Sequence, residues 1–233
     1  MSDLKVAAAA AIGAAVMLAG TAASAAPDFS GVWQVEPFYS TGTERIRTVD
    51  GLPLPIAPAA KAELDYLNKR DEEGKFIVHN TMLGWPKGFI QASRGRFNFK
   101  IIQQPKQVTF FFEEDHQYDI FHIDAKHPAH VEPSFLGDSV AHWEGDTLVV
   151  DTIGYNGLTA LNNVQMSDKT HTTMRLRLVN DGKSLENIIT FDDPVDFTRP
   201  FQMKIVYGRR PNERIHESVY AENERDLQDL NDQ

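Results

Sequence analysis

The chain has 233 residues, with 33 acidic against 23 basic side chains and a formal charge of −10. That balance disfavours nucleic acid and anionic membrane surfaces as partners, because both are bound by displacing counterions with Lys and Arg. No cysteine is present, which excludes a disulfide framework, a thiolate metal site and a cysteine nucleophile.

The first 25 residues have a small basic start at Lys5, an alanine-rich apolar run from Val6, and an Ala23-Ser24-Ala25 end. Those are the three parts of a secretory signal, so cleavage is expected after Ala25 and the working location is expected to be periplasmic or secreted. An uncleaved anchor is the alternative, since about twenty apolar residues can span a bilayer, but this run is mostly alanine and glycine. About two hundred residues remain, enough for a single domain over residues 26–220, followed by a charged tail over residues 221–233. A hydrophobic content of 42%, with 10% aromatic residues, suits a packed core rather than disorder.

Phe29-Ser30-Gly31-Val32-Trp33 opens a strand, and the stretch to Pro58 reads as irregular connection, with Phe38 to Gly42 and Asp50 to Pro55 rich in turn residues. Ala57 to Arg70 is the one convincing helix: Pro58 suits a first turn, Ala59, Ala60, Ala62 and Leu64 are good formers, and Gly74 ends it. Val78 to Gly95 is broken by Gly84, Trp85-Pro86, Gly88 and Gly95 and reads as a second irregular segment. Then the texture becomes β-rich. Arg96–Gln103, Gln107–Glu114 and Gln117–Asp124 read as consecutive strands; Asp138–Glu144 and Asp146–Thr152 form a hairpin about Gly145. Thr172–Val179 and Ser184–Phe191 enclose the Asn180-Asp181-Gly182-Lys183 turn, and Phe201–Gly208 and Arg214–Tyr220 are the last strands.

Nine or ten strands with one helix and long N-terminal loops predict an all-β fold, an antiparallel meander closing into a barrel or a strongly curved sheet. The Phe29-x-Gly31-x-Trp33 start resembles the opening strand of lipocalin-type (calycin-type) barrels. Four further blocks are Glu114-Asp115-His116-Gln117, Trp143 through Thr152 (WEGDTLVVDT), Ser167-Asp168 with His171, and Asp192-Asp193-Pro194 with Thr198-x-Pro200. Together they resemble a family of secreted bacterial proteins over nearly the whole mature chain, which implies kinship and not a reaction. The chain departs from the family pattern at Asp138, where relatives carry His in Gly-His-Ser, and at Met166, where they carry His in His-Ser-Asp. It also lacks a cysteine that relatives often have near Asn80 to Pro86.

Eight histidines raise the question of zinc, but His116, His122, His127, His130 and His142 include neither a His-x-His strand pair nor a His-Glu-x-x-His helix. No metal is expected, and no nucleotide cofactor either, because both glycine-rich phosphate loops are missing. A cofactor-free acid/base set is preferred. His116 sits beside Glu114 and Asp115, and His171 follows Asp168 by three residues, so His116, Asp168 and His171 are the expected catalytic groups. Tyr118, Tyr155, Asn156 and Arg175 are the expected substrate-binding groups, with Gly154 to Gly157 as the lip of a cavity. The expected function is a secreted small-molecule-binding barrel acting as a lyase or isomerase on a small aromatic or apolar compound. A non-catalytic carrier and a structural envelope module are the alternatives, and homo-oligomerisation is left open.

Overall fold

The structure is a computed structural model and describes residues 26–36, 48–75, 83–114, 116–161 and 163–218. The expected signal segment over residues 1–25, the expected loop at Phe38 to Gly42 and the expected charged tail lie outside these residues.

Nine strands close a barrel. They are β1 (Gly31–Val35), β2 (Phe99–Gln104), β3 (Gln107–Phe112), β4 (Tyr118–Ile123), β5 (Asp138–Glu144), β6 (Thr147–Ile153), β9 (His171–Val179), β10 (Ser184–Asp192) and β11 (Phe201–Arg209); β7 (Ala160–Leu161) and β8 (Val164–Gln165) make a small separate hairpin. The order round the barrel is β1-β11-β10-β9-β6-β5-β4-β3-β2, with β1 pairing antiparallel to both β2 and β11. The lipocalin-like all-β barrel expected from the sequence is therefore present. One pair departs from a pure meander: β4 and β5 run parallel, with Phe121 opposite Ser139. A crossover of residues 124–137 joins them, as parallel neighbours require.

Each barrel strand turns alternate side chains inward. Phe99 and Ile101, Val108, Phe110 and Phe112, Phe121 and Ile123, Leu148 and Val150, Met174 and Leu176, Leu185 and Ile189, and Met203, Ile205 and Tyr207 are all buried. The rings crowd one wall: Phe99 lies 5.6 Å from Phe110 and 4.9 Å from Tyr207, and Phe110 lies 5.1 Å from Phe121.

The end at which β1 begins is closed by the N-terminal segment. Trp33 Nε1 donates to Phe29 O, and Arg209 lays its guanidinium 4.3 Å from the Trp33 ring while donating to Ser30 O and Gly182 O. Gly31, at φ +140°, makes this approach feasible, since a Cβ there would stand 3.0 Å from Arg209 Nη1. The Phe-x-Gly-x-Trp pattern is thus a plug built from both chain ends of the barrel.

Helix α1 (Pro58–Glu72) matches the expected helix, with Pro58 at its first turn; it lies on the outside, and only Ala60 and Leu64 pack half-buried on the core. A second helix, α2 (Phe89–Ser93), falls inside the segment expected to be irregular. The five residues of α2, set between Gly88 and Gly95, are too few to show a helical period. The expected strand Arg214–Tyr220 is not formed over its described part, 214–218, where Ser218 makes a single bridge to Glu114. Of its described residues only Ile215 is apolar, so they offer no alternating apolar face, and the closed barrel leaves no edge for another strand.

Candidate functional site

The opposite end of the barrel, where β4 and β5 begin and β6 ends, carries the interior polar groups. In β4 the positions Asp119, Phe121 and Ile123 face inward, so the pleat that buries two apolar side chains also buries a carboxyl. On the neighbouring strands the inward positions are Ser139, Thr152 and Thr172, and the Ser139 and Thr152 hydroxyls are 2.9 Å apart. After β6, Gly154 takes φ +77° and brings the chain against Val131 so closely that a Cβ would overlap Val131 Cγ1. That turn carries Tyr155 into the interior, where its hydroxyl lies 2.8 Å from Thr172 Oγ1.

Asp119 is 6% exposed. Burial pushes its carboxyl up to about 7, and the Ile120 N–H is the group that opposes this. Burial also pushes the Tyr155 phenol up; the Thr172 and Thr152 hydroxyls oppose it, and the negative charge on Asp119 adds to it. The Asp119 charge therefore acts on the Tyr155 phenol inside one barrel end. Tyr155 stays a protonated donor through the neutral range, whereas Asp119 titrates within it.

Residues 83–93 cover this end. The Phe89 ring sits 5.1 Å from Phe110, 5.8 Å from Phe112 and 5.5 Å from Phe121, and the Tyr207 hydroxyl donates to Ser93 Oγ at 3.1 Å. Lys87 N donates to Gln117 Oε1, and Lys87 Nζ pairs with Glu114 Oε1 at 2.5 Å.

The residues expected from sequence are dispersed. His116, in the turn between β3 and β4, meets Glu217 at 3.0 Å; Asp168 pairs with Lys169; His171 meets Asp151, not Asp168, at 2.7 Å. Tyr118 is exposed on the outer face beside Phe111, Arg175 pairs with Glu144 in solvent, and Asn156 caps its own turn by accepting from Leu158 N. Of these seven residues Tyr155 alone is inside the barrel. Asp119, Gln117 and Thr159, which share that end, were not expected.

A second polar group lies on the outside of the same strands. His127, in the crossover, sets Nδ1 2.6 Å from Asp138 and Nε2 2.9 Å from Asp151, whose other oxygen meets His171. Both His127 nitrogens face carboxylates, so both are donors and the ring is an imidazolium. Burial works against that charge, but the two carboxylates outweigh it and raise the His127 pKa. Burial likewise works against the Asp151 charge, and His171 and His127 outweigh it and lower that pKa. With a raised His, the clamp is complete below the ordinary histidine pKa and is lost as pH rises through the raised value. His127→Gln should cost about 1–2 kcal/mol at pH 6 and less at pH 9, read from urea midpoints. An equal cost at both values would separate the clamp from the charge on His127.

Among the described residues no group of His, Asp and Glu is arranged to hold a metal ion, and no helix is long and apolar enough to cross a membrane. No family model matches the chain, and no curated protein matches it.

Proposed function

We propose that the chain is an exported small-molecule-binding barrel that runs cofactor-free proton transfer, as a lyase or isomerase on a small aromatic or apolar compound. Asp119 is the general acid/base, and Tyr155 is the donor to the oxygen on which charge develops. One observation carries the reading: a carboxyl on the inner face of the barrel, opposite Phe110, that no charge among the described residues neutralises, at the same barrel end as a buried phenol that feels its charge. Such a carboxyl costs stability and is tolerated where it does work.

The step balances without a cofactor. Ionised Asp119 takes a proton from a carbon next to a carbonyl, the C–H electron pair forms a carbon–carbon double bond, and the carbonyl π pair moves onto the oxygen, which Tyr155 holds by its O–H. Returning that proton to a different carbon gives an isomer. Expelling a group from the adjacent carbon gives an alkene, with the proton left on Asp119 until solvent or the leaving group takes it. Because rings fill the middle of the barrel, the ligand is assigned to the polar end beneath residues 83–93. His116, Asp168 and His171 take no part in this reading, since their partners lie on the outer surface. Export rests on the signal pattern that ends at Ala25.

The test is exchange of solvent deuterium into small aromatic ketones, followed by NMR. Wild-type protein should catalyse exchange, and Asp119→Asn should lower the rate by roughly 10²–10⁴-fold while leaving binding in place. Binding with no exchange in the wild type would make the barrel a carrier.

A further inference from the structure

Residues 83–93 cross the polar end between two side chains that have hydrogen-bonding capacity to spare. Lys87 N donates to Gln117 Oε1 at 3.1 Å, which fixes the orientation of the amide and leaves Nε2 pointing elsewhere. Gln117 is 7% exposed, and Nε2 has no partner among the described residues. One residue along, Gly88 lies against Thr159, close enough that a Cβ would stand 3.0 Å from Thr159 Cγ2. Thr159 is 1% exposed, and its Oγ1 also has no partner among the described residues. Buried donors are nearly always satisfied, so two that flank one dipeptide are open to an acceptor that the described residues do not supply.

The surroundings restrict that acceptor. Both free donors are neutral, and the cation alongside, Lys87, is already taken by Glu114. A neutral oxygen fits better than a carboxylate, which would bring uncompensated charge under the cover. The adjoining wall is the Phe89, Phe110 and Phe121 cluster, which suits a flat ring.

We propose that Gln117 Nε2–H and Thr159 Oγ1–H form a subsite for a carbonyl oxygen, so that the ligand is a neutral aromatic carbonyl compound anchored beneath the Lys87–Gly88 backbone. This rests on the ligand site assigned above to the same barrel end. The anchored oxygen is separate from the one that Tyr155 holds, so the full substrate carries two oxygen functions.

Acetophenone and ethylbenzene test it, being alike in size and differing in the oxygen; their dissociation constants are read by NMR titration of the full chain. Wild-type protein should bind acetophenone about tenfold more tightly. Thr159→Val and Gln117→Glu should each cut that ratio to about threefold or less, and Thr159→Ser should restore it. Gln117→Glu keeps the acceptor for Lys87 N and removes the Nε2–H donor while adding a charge, so Thr159→Val, which adds none, is the cleaner arm. Equal binding of the two probes by wild type, failure of both to bind, or an unchanged ratio in both variants overturns the subsite; the last is what an internal water on the two atoms would give. Asp119→Asn keeps the two claims apart. A ratio lost at positions 117 and 159 with exchange untouched by Asp119→Asn retains the subsite and removes the acid/base reading; the reverse pattern removes the subsite alone.

Discussion

Asp193→Ala should lose about 3–5 kcal/mol of stability, which lowers the urea midpoint by roughly 2 M for a slope of about 2 kcal/mol per molar. Asp193 is 2% exposed and accepts from five donors: Ser167 N and Ser167 Oγ at 2.8 Å each, Thr170 Oγ1 at 2.6 Å, Val195 N at 3.0 Å and Asp196 N at 3.1 Å. Burial alone would raise its pKa, yet the donors from Thr170, Ser167 and Asp196 prevail and lower it. A depressed carboxylate contributes its stability above the ordinary aspartate value and loses it as pH falls through the folded value, so the Asp193→Ala penalty should shrink below about pH 4. Relief of Asp196, whose pKa is raised by burial and then by the Asp193 charge, offsets a small part of the loss. Asp193→Asn should cost less, because its oxygen keeps some donors while its NH₂ is turned against others. A loss under about 1 kcal/mol for the alanine variant would mean that the five donors find water instead.

This residue also shows where sequence reading succeeds. Ser167-Asp168 and Asp192-Asp193-Pro194 stand out in the sequence as short polar blocks, and the structure joins them as donors and acceptor across one end of the barrel. The Trp143 to Thr152 block is a hairpin for the reason its residues suggest: Gly145 takes φ +64° between β5 and β6. Those features are local, and turn chemistry is written in adjacent residues.

The site is written across strands and is harder to read. In Tyr118-Asp119-Ile120-Phe121-His122-Ile123 both alternating sets contain an apolar majority or a near match to one, so pattern alone does not say whether Asp119 or Tyr118 faces in. Pairing with β3, where Phe110 lies opposite Asp119, decides it. The outer group at His127, Asp138, Asp151 and His171 likewise comes from a crossover and three strands, so Asp151, and not the sequence neighbour Asp168, becomes the partner of His171. The cover over the site escaped because α2 is shorter than any readable period.

Asp119→Asn should flatten the pH dependence of stability between pH 5 and pH 8. In the native chain burial raises the Asp119 carboxyl to about 7, against 3.8 for the free group. The folded state therefore holds a proton that the unfolded state has released, and stability falls as pH climbs from about 4 to about 7, by on the order of 4 kcal/mol in full. Over the pH 5 to pH 8 window the share is roughly 2–3 kcal/mol. The raised His127 also loses stability as pH rises, but it does so equally in both proteins, so the difference between wild type and variant isolates Asp119. Asparagine mimics the protonated acid in shape and charge, so the variant should match wild type near pH 4 and exceed it at pH 8. Parallel stability curves for the two proteins would show that water or a relaxed loop solvates the carboxylate. The same titration governs the proposed chemistry in the opposite sense: the base is competent only after losing its proton, so exchange should rise through pH 7 while stability drops. A barrel that needed only a packed interior would have no use for that opposition, and an apolar residue at position 119 would remove it.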